Sequence, residues 1–344
     1  MKFLIIGAGA IGVYLGASLA HAGHRAAFWT RPATAAELRA NGLKLTRPAG
    51  QITLAAPEIH TTPAAALAAG CDLIVLAIKA YDTAAWLAEL RAAGPTPPPI
   101  LCLQNGIDLE GDIAQVFGAE RVIAGTVTTA VSRRETGAVV VERERGLGLA
   151  LTHPLSAPLL AACQAAGLRA RGYASAPAMK WSKLLTNLLG NASAALLNLS
   201  VAEIFAAPAL FQVEMALVRE ALAAMRAEGA AVVDLPGTPV RALALGTRLP
   251  AALAQPILRR AVGGGRGGKR PSFQIDIQSG RGRTEAPWLH GAVARHAQAA
   301  GQRAPISQRL CELVEDLAAG RRAPDEFHGR PDKLLRLINE ARVL

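Results

Sequence analysis

The chain has 344 residues, of which 51% are hydrophobic, so it can bury the core of one large domain or of two ordinary ones. No apolar run reaches the length of a membrane span, and four cysteines are scattered without metal-type spacing (Cys71, Cys102, Cys163 and Cys311). This composition excludes a membrane-spanning protein and a cysteine-based metal or disulfide framework. It predicts a cytoplasmic protein with reduced thiols and no metal site.

The formal net charge of +11 comes with 30 arginines and seven lysines, which are spread over most of the chain with few aromatic residues among them. This pattern indicates an arginine-rich composition rather than a nucleic-acid surface, so we predict neither a nucleic-acid nor a membrane partner. Arginine is the default cation here and cannot release a proton in a protein, so the few lysines are informative. Three of them stand beside suggestive residues: Lys79, Lys183 and Lys269.

The first elements are a short apolar strand, a glycine-rich turn and a helix, in the stretch KFLIIGAGAIGVYLGASLAHA. Gly7 allows a tight turn, Gly9 lets the backbone approach a pyrophosphate, and Gly12 permits close packing of the helix on the strand. The N–H groups at the start of the helix favour phosphate binding. The predicted cofactor loop is therefore Gly7, Gly9, Ala10, Ile11 and Gly12. The alternatives are a glycine-rich turn without a ligand and a cleaved signal peptide, although glycines interrupt the apolar stretch.

The second predicted strand, HRAAFWT, is followed by Arg31. An acidic residue near this point usually holds the ribose hydroxyls of NAD, whereas an arginine accommodates the extra phosphate of NADP. The stretch FWTRPAT contains an arginine and no acid, so it favours NADP. A solvated arginine without a ligand is the alternative.

Two further buried strands end in polar residues. The stretch CDLIVLAIKAYDT places Lys79 at the end of one strand, and PPILCLQNGID ends the other with Gln104, Asn105 and Gly106. In open parallel sheets a ligand binds outside the carboxyl ends of the strands, so we expect Arg31, Lys79, Asn105 and the glycine loop to converge on one rim. Alternatively, Asn105 and Gly106 form only a turn.

The later strand patterns, RVIAGTVTTAVS and GAVVVERERGLGLALT, are expected to extend the same sheet, with a closing strand near LRARGYA. Residues 1–175 are therefore predicted to form an α/β domain with a doubly wound, Rossmann-type sheet that binds NADP. Helical patterns dominate from there on, so residues 176–344 are predicted to form an all-α substrate and catalytic domain.

One helix is expected from Met179 to Asn198, and it carries Lys183, Asn187 and Asn191 at intervals of four residues. Such positions share one helix face and span about 12 Å. Leucines flank this stripe on both sides, which argues against a solvated face and leaves a buried structural network as the alternative. We predict that the stripe faces a polar substrate.

The glycine- and arginine-rich segment 262–270, which contains Lys269, is predicted to be a flexible surface loop. A mobile flap that closes over an anionic ligand is the alternative interpretation.

Six segments, in this order, share a resemblance to one enzyme family: GAGAIGVYLG, AIKAYD, LQNGID, KWSKLLTNLLGN, KRPSFQIDIQSGRGRTE and WLHGAV. They resemble the ketopantoate reductases (2-dehydropantoate 2-reductases), in a longer and divergent branch. The resemblance implies a Rossmann domain followed by a helical domain, and NADPH-dependent reduction of a 2-oxo acid. The reaction it implies most economically is 2-dehydropantoate to pantoate, in pantothenate biosynthesis.

The resemblance also implies roles for single residues. Lys183 matches the catalytic lysine and Glu285 its partner acid; Asn187 and Asn191 match asparagines that hold a substrate hydroxyl, and Ser272 the serine that binds the substrate carboxylate. On the cofactor side, Lys79 and Asn105 match a lysine and an asparagine, Asn105 also facing the substrate, and Arg31 matches the residue at the NADP phosphate. Hydride transfer to a ketone leaves negative charge on oxygen, which a protonated Lys183 can stabilise and protonate. For Glu285 the alternative is helix-dipole compensation just after a predicted N-cap at Thr284.

The chain departs from the family pattern at several positions. One more residue separates Asp276 from Glu285 than in the best-known members, and Pro287 and His290 replace a common Asp and Asn. Val201 falls where a third substrate asparagine is expected, with Asn198 as a displaced candidate. The alternatives are therefore a related hydroxy-acid or opine-type dehydrogenase and a non-catalytic NADP-binding regulator. The oligomeric state stays open, with a homodimer as the assembly considered.

Overall fold

The computed structural model describes residues 1–94, 96–263 and 271–343. The chain divides into two compact units, and each is described by itself. Unit 1 contains Met1–Gln104, Asp108–Lys180 and Leu235–Thr238; unit 2 contains Asn105–Ile107, Trp181–Asp234 and Pro239–Leu344. The functional division at residues 175 and 176 stays a prediction, and the glycine- and arginine-rich segment with Lys269 lies, from residue 264 onward, outside the described residues.

Unit 1 contains twelve strands in its described part: β1 (Lys2–Ile6), β2 (Arg25–Trp29), β3 (Leu43–Arg47), β4 (Gly50–Leu54), β5 (Glu58–His60), β6 (Leu73–Leu76), β7 (Ile100–Cys102), β8 (Val122–Val127), β9 (Ala130–Glu135), β10 (Ala138–Arg143), β11 (Leu147–Ala150) and β12 (Ala170–Tyr173). Eight of them form one sheet in the order β12-β11-β8-β7-β6-β1-β2-β5, in which all pairs are parallel except the antiparallel pair of β8 and β11.

The central strands are buried on both faces, as their continuous apolar sequences require. Strand β6 reads LIVL and is buried at every position, and β1 is buried from Phe3 onward. The helices α1 (Ala10–His21), α2 (Pro32–Asn41), α3 (Pro63–Ala68), α4 (Thr83–Ala93), α5 (Leu109–Phe117) and α6 (Ser156–Ala165) connect strands of this unit. The predicted α/β class and doubly wound sheet are confirmed.

The expectation that all later strands extend one sheet is wrong for two of them. Strands β9 and β10 pair with each other and, through β3, join β4 in a separate four-stranded sheet in the order β4-β3-β10-β9. Strand β10 alternates partly buried and buried residues before its exposed charged end, and β9 has one buried residue, Val131, and three exposed charged residues at its end. A strand with one solvated face belongs in a sheet that is covered on one side only, so these two strands do not join the fully buried sheet.

Unit 2 is helical in its described part. Helix α7 (Ala176–Leu188) starts among residues of unit 1 and enters unit 2 at Trp181. The others are α8 (Asn191–Leu197), α9 (Val201–Ala206), α10 (Pro208–Ala227), α11 (Val240–Gly246), α12 (Ala251–Gly263), α13 (Ser272–Gln278), α14 (Ala286–Ala299), α15 (Pro305–Ala318) and α16 (Pro331–Val343). Long α10 is buried along one face and packs against α14, α15 and α16. The prediction of a helical second half is confirmed.

The single helix expected from Met179 to Asn198 is wrong, because the chain breaks at Gly190. Gly190 has a φ of +61°, and its N–H donates a hydrogen bond of 2.7 Å to the buried Glu214 carboxylate. Ser193 Oγ donates to the other oxygen of Glu214 at 2.6 Å. These contacts satisfy polar groups at the start of α8, so the break is stable and Asn191 begins a second helix.

Within the described part of the chain, no helix is long and apolar enough to span a bilayer.

Candidate active site

The glycine loop follows β1 as predicted. Gly7 has a φ of +97°, and its N–H donates to the carbonyl of Trp29 at 3.1 Å. A Cβ at Gly12 would lie 2.0 Å from the Gly7 carbonyl oxygen, so glycine lets α1 pass directly over the turn. The closest atom thus belongs to the turn rather than to the strand.

The start of α1 has the features of an anion site. Gly9 is its cap residue, and a Cβ there would meet nothing within 4 Å. The first turn of α1, which the structure describes in full, carries no acidic residue and receives no side-chain cap from Gly9. The positive helix end and the N–H groups of Ala10, Ile11 and Gly12 therefore suit a pyrophosphate.

Arg31 lies just after β2, and its guanidinium has two partners that the sequence did not indicate. Arg31 Nη1 forms an ion pair of 2.5 Å with Glu89 Oε1 in α4. The guanidinium also lies 4.3 Å from the ring centroid of Trp86, which packs edge-on against Trp29 at 4.4 Å. The indole holds the guanidinium at the carboxyl end of β2, and Glu89 occupies one of its donor edges. Lys79, half-buried, caps a short 3₁₀ turn after β6.

Three predicted site residues of unit 2 form a hydrogen-bonded series. Lys183 Nζ donates to Asn187 Oδ1 at 2.8 Å, and Asn187 Nδ2 donates to Asn105 Oδ1 at 3.0 Å. All three side chains are half-buried. Asn105 therefore lies with the helical residues in spite of its early place in the sequence. The next residue, Gly106, has a φ of +106°, and a Cβ there would lie 2.8 Å from the Trp288 carbonyl oxygen.

Asn191 and Ser272 form a second polar pair in unit 2. Asn191 is buried; its Nδ2 donates to Ser272 Oγ at 3.0 Å, and its Oδ1 accepts from the backbone N–H of Phe273 at 3.3 Å. Ser272 is the first residue of α13, so the asparagine side chain fixes the start of that helix. Because the chain breaks at Gly190, Asn191 and Asn187 have different partners: Asn191 bonds to Ser272, and Asn187 bonds to Asn105.

Glu285 is buried and is itself the cap residue of α14. The expected N-cap, Thr284, is one position too early, although its Oγ1 accepts from the N–H of Ala286 at 3.1 Å. A buried carboxylate is costly unless it is paired, so this placement suits a residue that acts on a cation.

Asn198 and His290 are the remaining sequence candidates, and both contact residues of α13. Asn198 is exposed, has a φ of +53° at the end of α8, and accepts at Oδ1 from Gln274 Nε2 at 2.7 Å. An asparagine in a left-handed C-cap is a common helix signal. His290 is fully buried, and among the described residues neither ring nitrogen has a hydrogen-bond partner. Burial lowers its pKa to about 3.

The described residues contain no group of three or more His, Cys, Asp or Glu side chains that could hold a metal ion.

Two family models match most of the chain. The one described as "Ketopantoate reductase PanE/ApbA" matches residues 3–149, and "Ketopantoate reductase PanE/ApbA C terminal" matches residues 176–318. A curated relative, 2-dehydropantoate 2-reductase of Halobacterium salinarum, is 28% identical over 331 residues, which cover 91% of this chain and 98% of the relative.

Solved structures share the fold over nearly the whole length. The PanE/ApbA family ketopantoate reductase from Ralstonia eutropha JMP134 superposes with a TM-score of 0.79 at 25% identity, covering 94% of this chain and all of its own. D-mandelate dehydrogenase with NADH and anilino(oxo)acetate superposes with a TM-score of 0.75 at 20% identity, covering 93% and 99%. At that identity the second likeness concerns the fold alone.

Proposed function

The chain belongs to the ketopantoate reductase family, and from this membership we propose that it reduces 2-dehydropantoate to pantoate with NADPH. It is an oxidoreductase acting on CH–OH groups, as members of this family are. The 2-oxo acid, the preference for NADPH and the roles of single residues are the proposed part.

The observation that carries the proposal is the series Lys183–Asn187–Asn105. A nicotinamide cofactor, when bound, would supply a hydride to the carbonyl carbon, and the carbonyl oxygen would then carry negative charge. In the proposed reaction Lys183 Nζ donates a hydrogen bond and then a proton to that oxygen. The hydrogen bond to Asn187 fixes the direction of the ammonium, so its orientation does not have to be found during the reaction.

The remaining residues hold the two ends of the substrate. Ser272 Oγ suits the substrate carboxylate, and the amides of Asn187 and Asn191 suit its hydroxyl. Glu285 stabilises the charged form of Lys183, which keeps the proton available for transfer. These roles follow from the family resemblance, and the polar pairs in unit 2 support them.

NADPH is proposed over NADH because Arg31 follows β2 and no acidic residue lies beside it in the stretch FWTRPAT. The glycine turn fits a dinucleotide independently, since Gly12 permits the close passage of α1 and Gly9 leaves its phosphate side open. The solved D-mandelate dehydrogenase was described with NADH, so both nicotinamide cofactors belong in the test.

The test follows the absorbance of NADPH and of NADH with purified protein and a panel of 2-oxo acids. We expect oxidation of NADPH with 2-dehydropantoate at a higher kcat/KM than with any other acid. Turnover that requires an added amine would instead indicate an opine-type dehydrogenase. Binding of NADPH without oxidation with any acid would indicate a regulator and would overturn the proposal.

A further inference from the structure

Lys180 is a buried ammonium that the proposed chemistry does not use. Its Nζ lies 2.7 Å from Glu110 Oε1 and donates a hydrogen bond of 2.7 Å to the backbone carbonyl of Gln104. Burial acts to lower the pKa of Lys180, but the charge and hydrogen bond of Glu110 together with Cys102 outweigh it, so the pKa is raised and the group stays charged. A charge in this position needs its counterion and also holds the Gln104 carbonyl firmly.

Gln104 links the segments that follow two neighbouring strands. Its side-chain Nε2 donates to Thr83 Oγ1 at 2.7 Å and to the carbonyl of Ile78 at 3.2 Å. Ile78 directly precedes Lys79, and Gln104 directly precedes Asn105. One buried residue, held by Lys180, therefore lies next to both predicted cofactor-side residues.

The contacts continue from Asn105 to the proposed catalytic group. Asn105 accepts from Asn187, which accepts from Lys183, and Lys183 lies three residues after Lys180 in α7. Two residues of α7 thus hold this segment. Lys180 donates to the Gln104 carbonyl, and Asn187, which accepts from Lys183, donates to the Asn105 side chain. Each of these hydrogen bonds joins residues of the same unit.

We propose that Lys180 is a positioning residue: with its charge balanced by Glu110, it fixes the Gln104–Asn105 peptide and thereby the direction of the Asn105 amide and of the Lys183 ammonium. The proposal rests on the proposed function for its effect on turnover. A purely structural ion pair would stabilise the fold without affecting kcat, and this difference decides the experiment.

The test replaces the ion pair as a unit, Lys180→Met with Glu110→Met, because a single substitution would leave a buried charge unpaired. The matched control is Arg47→Met with Glu144→Met in unit 1. That pair is joined at 2.9 Å, with side chains 13% and 14% exposed, against 5% and 18% for Lys180 and Glu110. We expect kcat with the 2-oxo acid to fall by about 10- to 100-fold in the first variant, since small misplacements have effects of that size. The Kd of NADPH should stay within about threefold of wild type in both variants, because the glycine loop and Arg31, which hold its phosphates in the proposal, are unchanged.

A second variant separates stability from positioning. Glu110→Gln removes the counterion but leaves the hydrogen bond from Lys180 to Gln104, so we expect a lower Tm with kcat within about threefold of wild type. A loss of kcat as large as that of the double methionine variant, or an equal loss in the Arg47 control, would overturn the positioning role. Should the methionine variant fail to fold, Glu110→Gln still decides, because a folded but inactive protein contradicts the proposal.

Amide hydrogen exchange provides a readout independent of turnover. The N–H groups of residues 105–107 should exchange faster in the variant Lys180→Met with Glu110→Met than in wild type. In the Arg47 control their exchange rates should equal those of wild type. Unchanged exchange in the first variant would overturn the proposal. If none of the 2-oxo acids supports NADPH oxidation by the wild type, the proposed function fails. The exchange rates alone then decide whether Lys180 fixes residues 105–107.

Discussion

Glu89 is the ion-pair partner of Arg31, and the phosphate of NADP proposed to bind there would have to compete with it. The pair is surface-exposed, at 51% and 37% for the two side chains, so the ion pair contributes about 0–1 kcal/mol. A phosphate that binds Arg31 must displace the Glu89 carboxylate or share the guanidinium with it. We expect Glu89→Gln to tighten NADPH binding by about two- to fivefold, more at low salt.

The measurement is the Kd of NADPH and of NADH by fluorescence titration at two salt concentrations. Glu37→Gln, an exposed residue of α2, is the control for the change in net charge. Equal tightening for NADH, or for the Glu37 variant, would contradict a specific competition at Arg31.

His290 makes the folded protein sensitive to acid. Its pKa is lowered from 6.5 to about 3 by burial, so the unfolded chain binds more protons at every pH between these values. Stability should therefore fall as the pH drops below 6.5 and level off near 3; at pH 5 the loss is about 2 kcal/mol. His290→Leu should remove this loss, and it also removes from the core two ring nitrogens that have no hydrogen-bond partner in the described part of the chain.

The prediction is checked by urea unfolding of wild type and variant at pH 7 and pH 5. The same substitution at exposed His328 is the control, and it should leave the pH dependence unchanged. A His290→Leu protein that still loses as much stability as wild type would show that another group is responsible.

Sequence patterns predict the residues whose role depends on local geometry. Gly7 and Gly12 are needed where a strand turns directly into a helix, and this requirement is visible within six residues. Glu89, Glu110 and Lys180 could not be predicted, because each contact joins residues more than 50 positions apart and depends on burial. The hydrogen-bond partner of Asn105 was hidden for the same reason.

At the scale of elements, the break between α7 and α8 determines where Asn191 lies. We expect Gly190→Ala to destabilise the protein, because alanine must adopt a φ of +61° and its Cβ would lie 2.8 Å from Val201 Cγ1. The conformational part is about 1–2 kcal/mol, and the collision adds to it. Movement of Asn191 should also lower kcat/KM by about tenfold.

Gly229→Ala is the matched control for this break. Gly229 has a φ of +68° after α10, and a Cβ there would meet nothing within 4 Å. The Gly229→Ala protein should lose only the conformational part of the unfolding free energy and keep full activity. Equal urea midpoints and equal kcat/KM for the two variants would contradict the importance of the close contact at Gly190.

The break was missed because the periodic signal continues through it. Leucines directly precede Gly190, alanines and leucines follow it, and isolated glycines are tolerated inside helices, so the sequence pattern predicts one helix. The deciding partner, Glu214, lies 24 residues away. The second sheet was missed for another reason: the sequence patterns of β9 and β10 predict strands correctly but do not say which sheet the strands join.

At the scale of the whole molecule, the order of motifs predicts the α/β unit, the helical unit and the family. It does not predict that residues 105–107 belong with the helices, although they follow the strand β7. Only three-dimensional contacts, such as those of Asn105 with Asn187, assign them. The reductase chemistry proposed for the protein depends on this assignment, because Asn105 orients the amide that holds Lys183.

The most direct test of the whole account is the rate of NADPH oxidation by Lys183→Met with a saturating 2-oxo acid, beside exposed Lys44→Met as control. The account predicts a loss of kcat by about 10²- to 10⁴-fold, the usual range for a lost proton donor, with the Kd of NADPH within about threefold of wild type. Turnover of Lys183→Met within tenfold of the Lys44 control would contradict it.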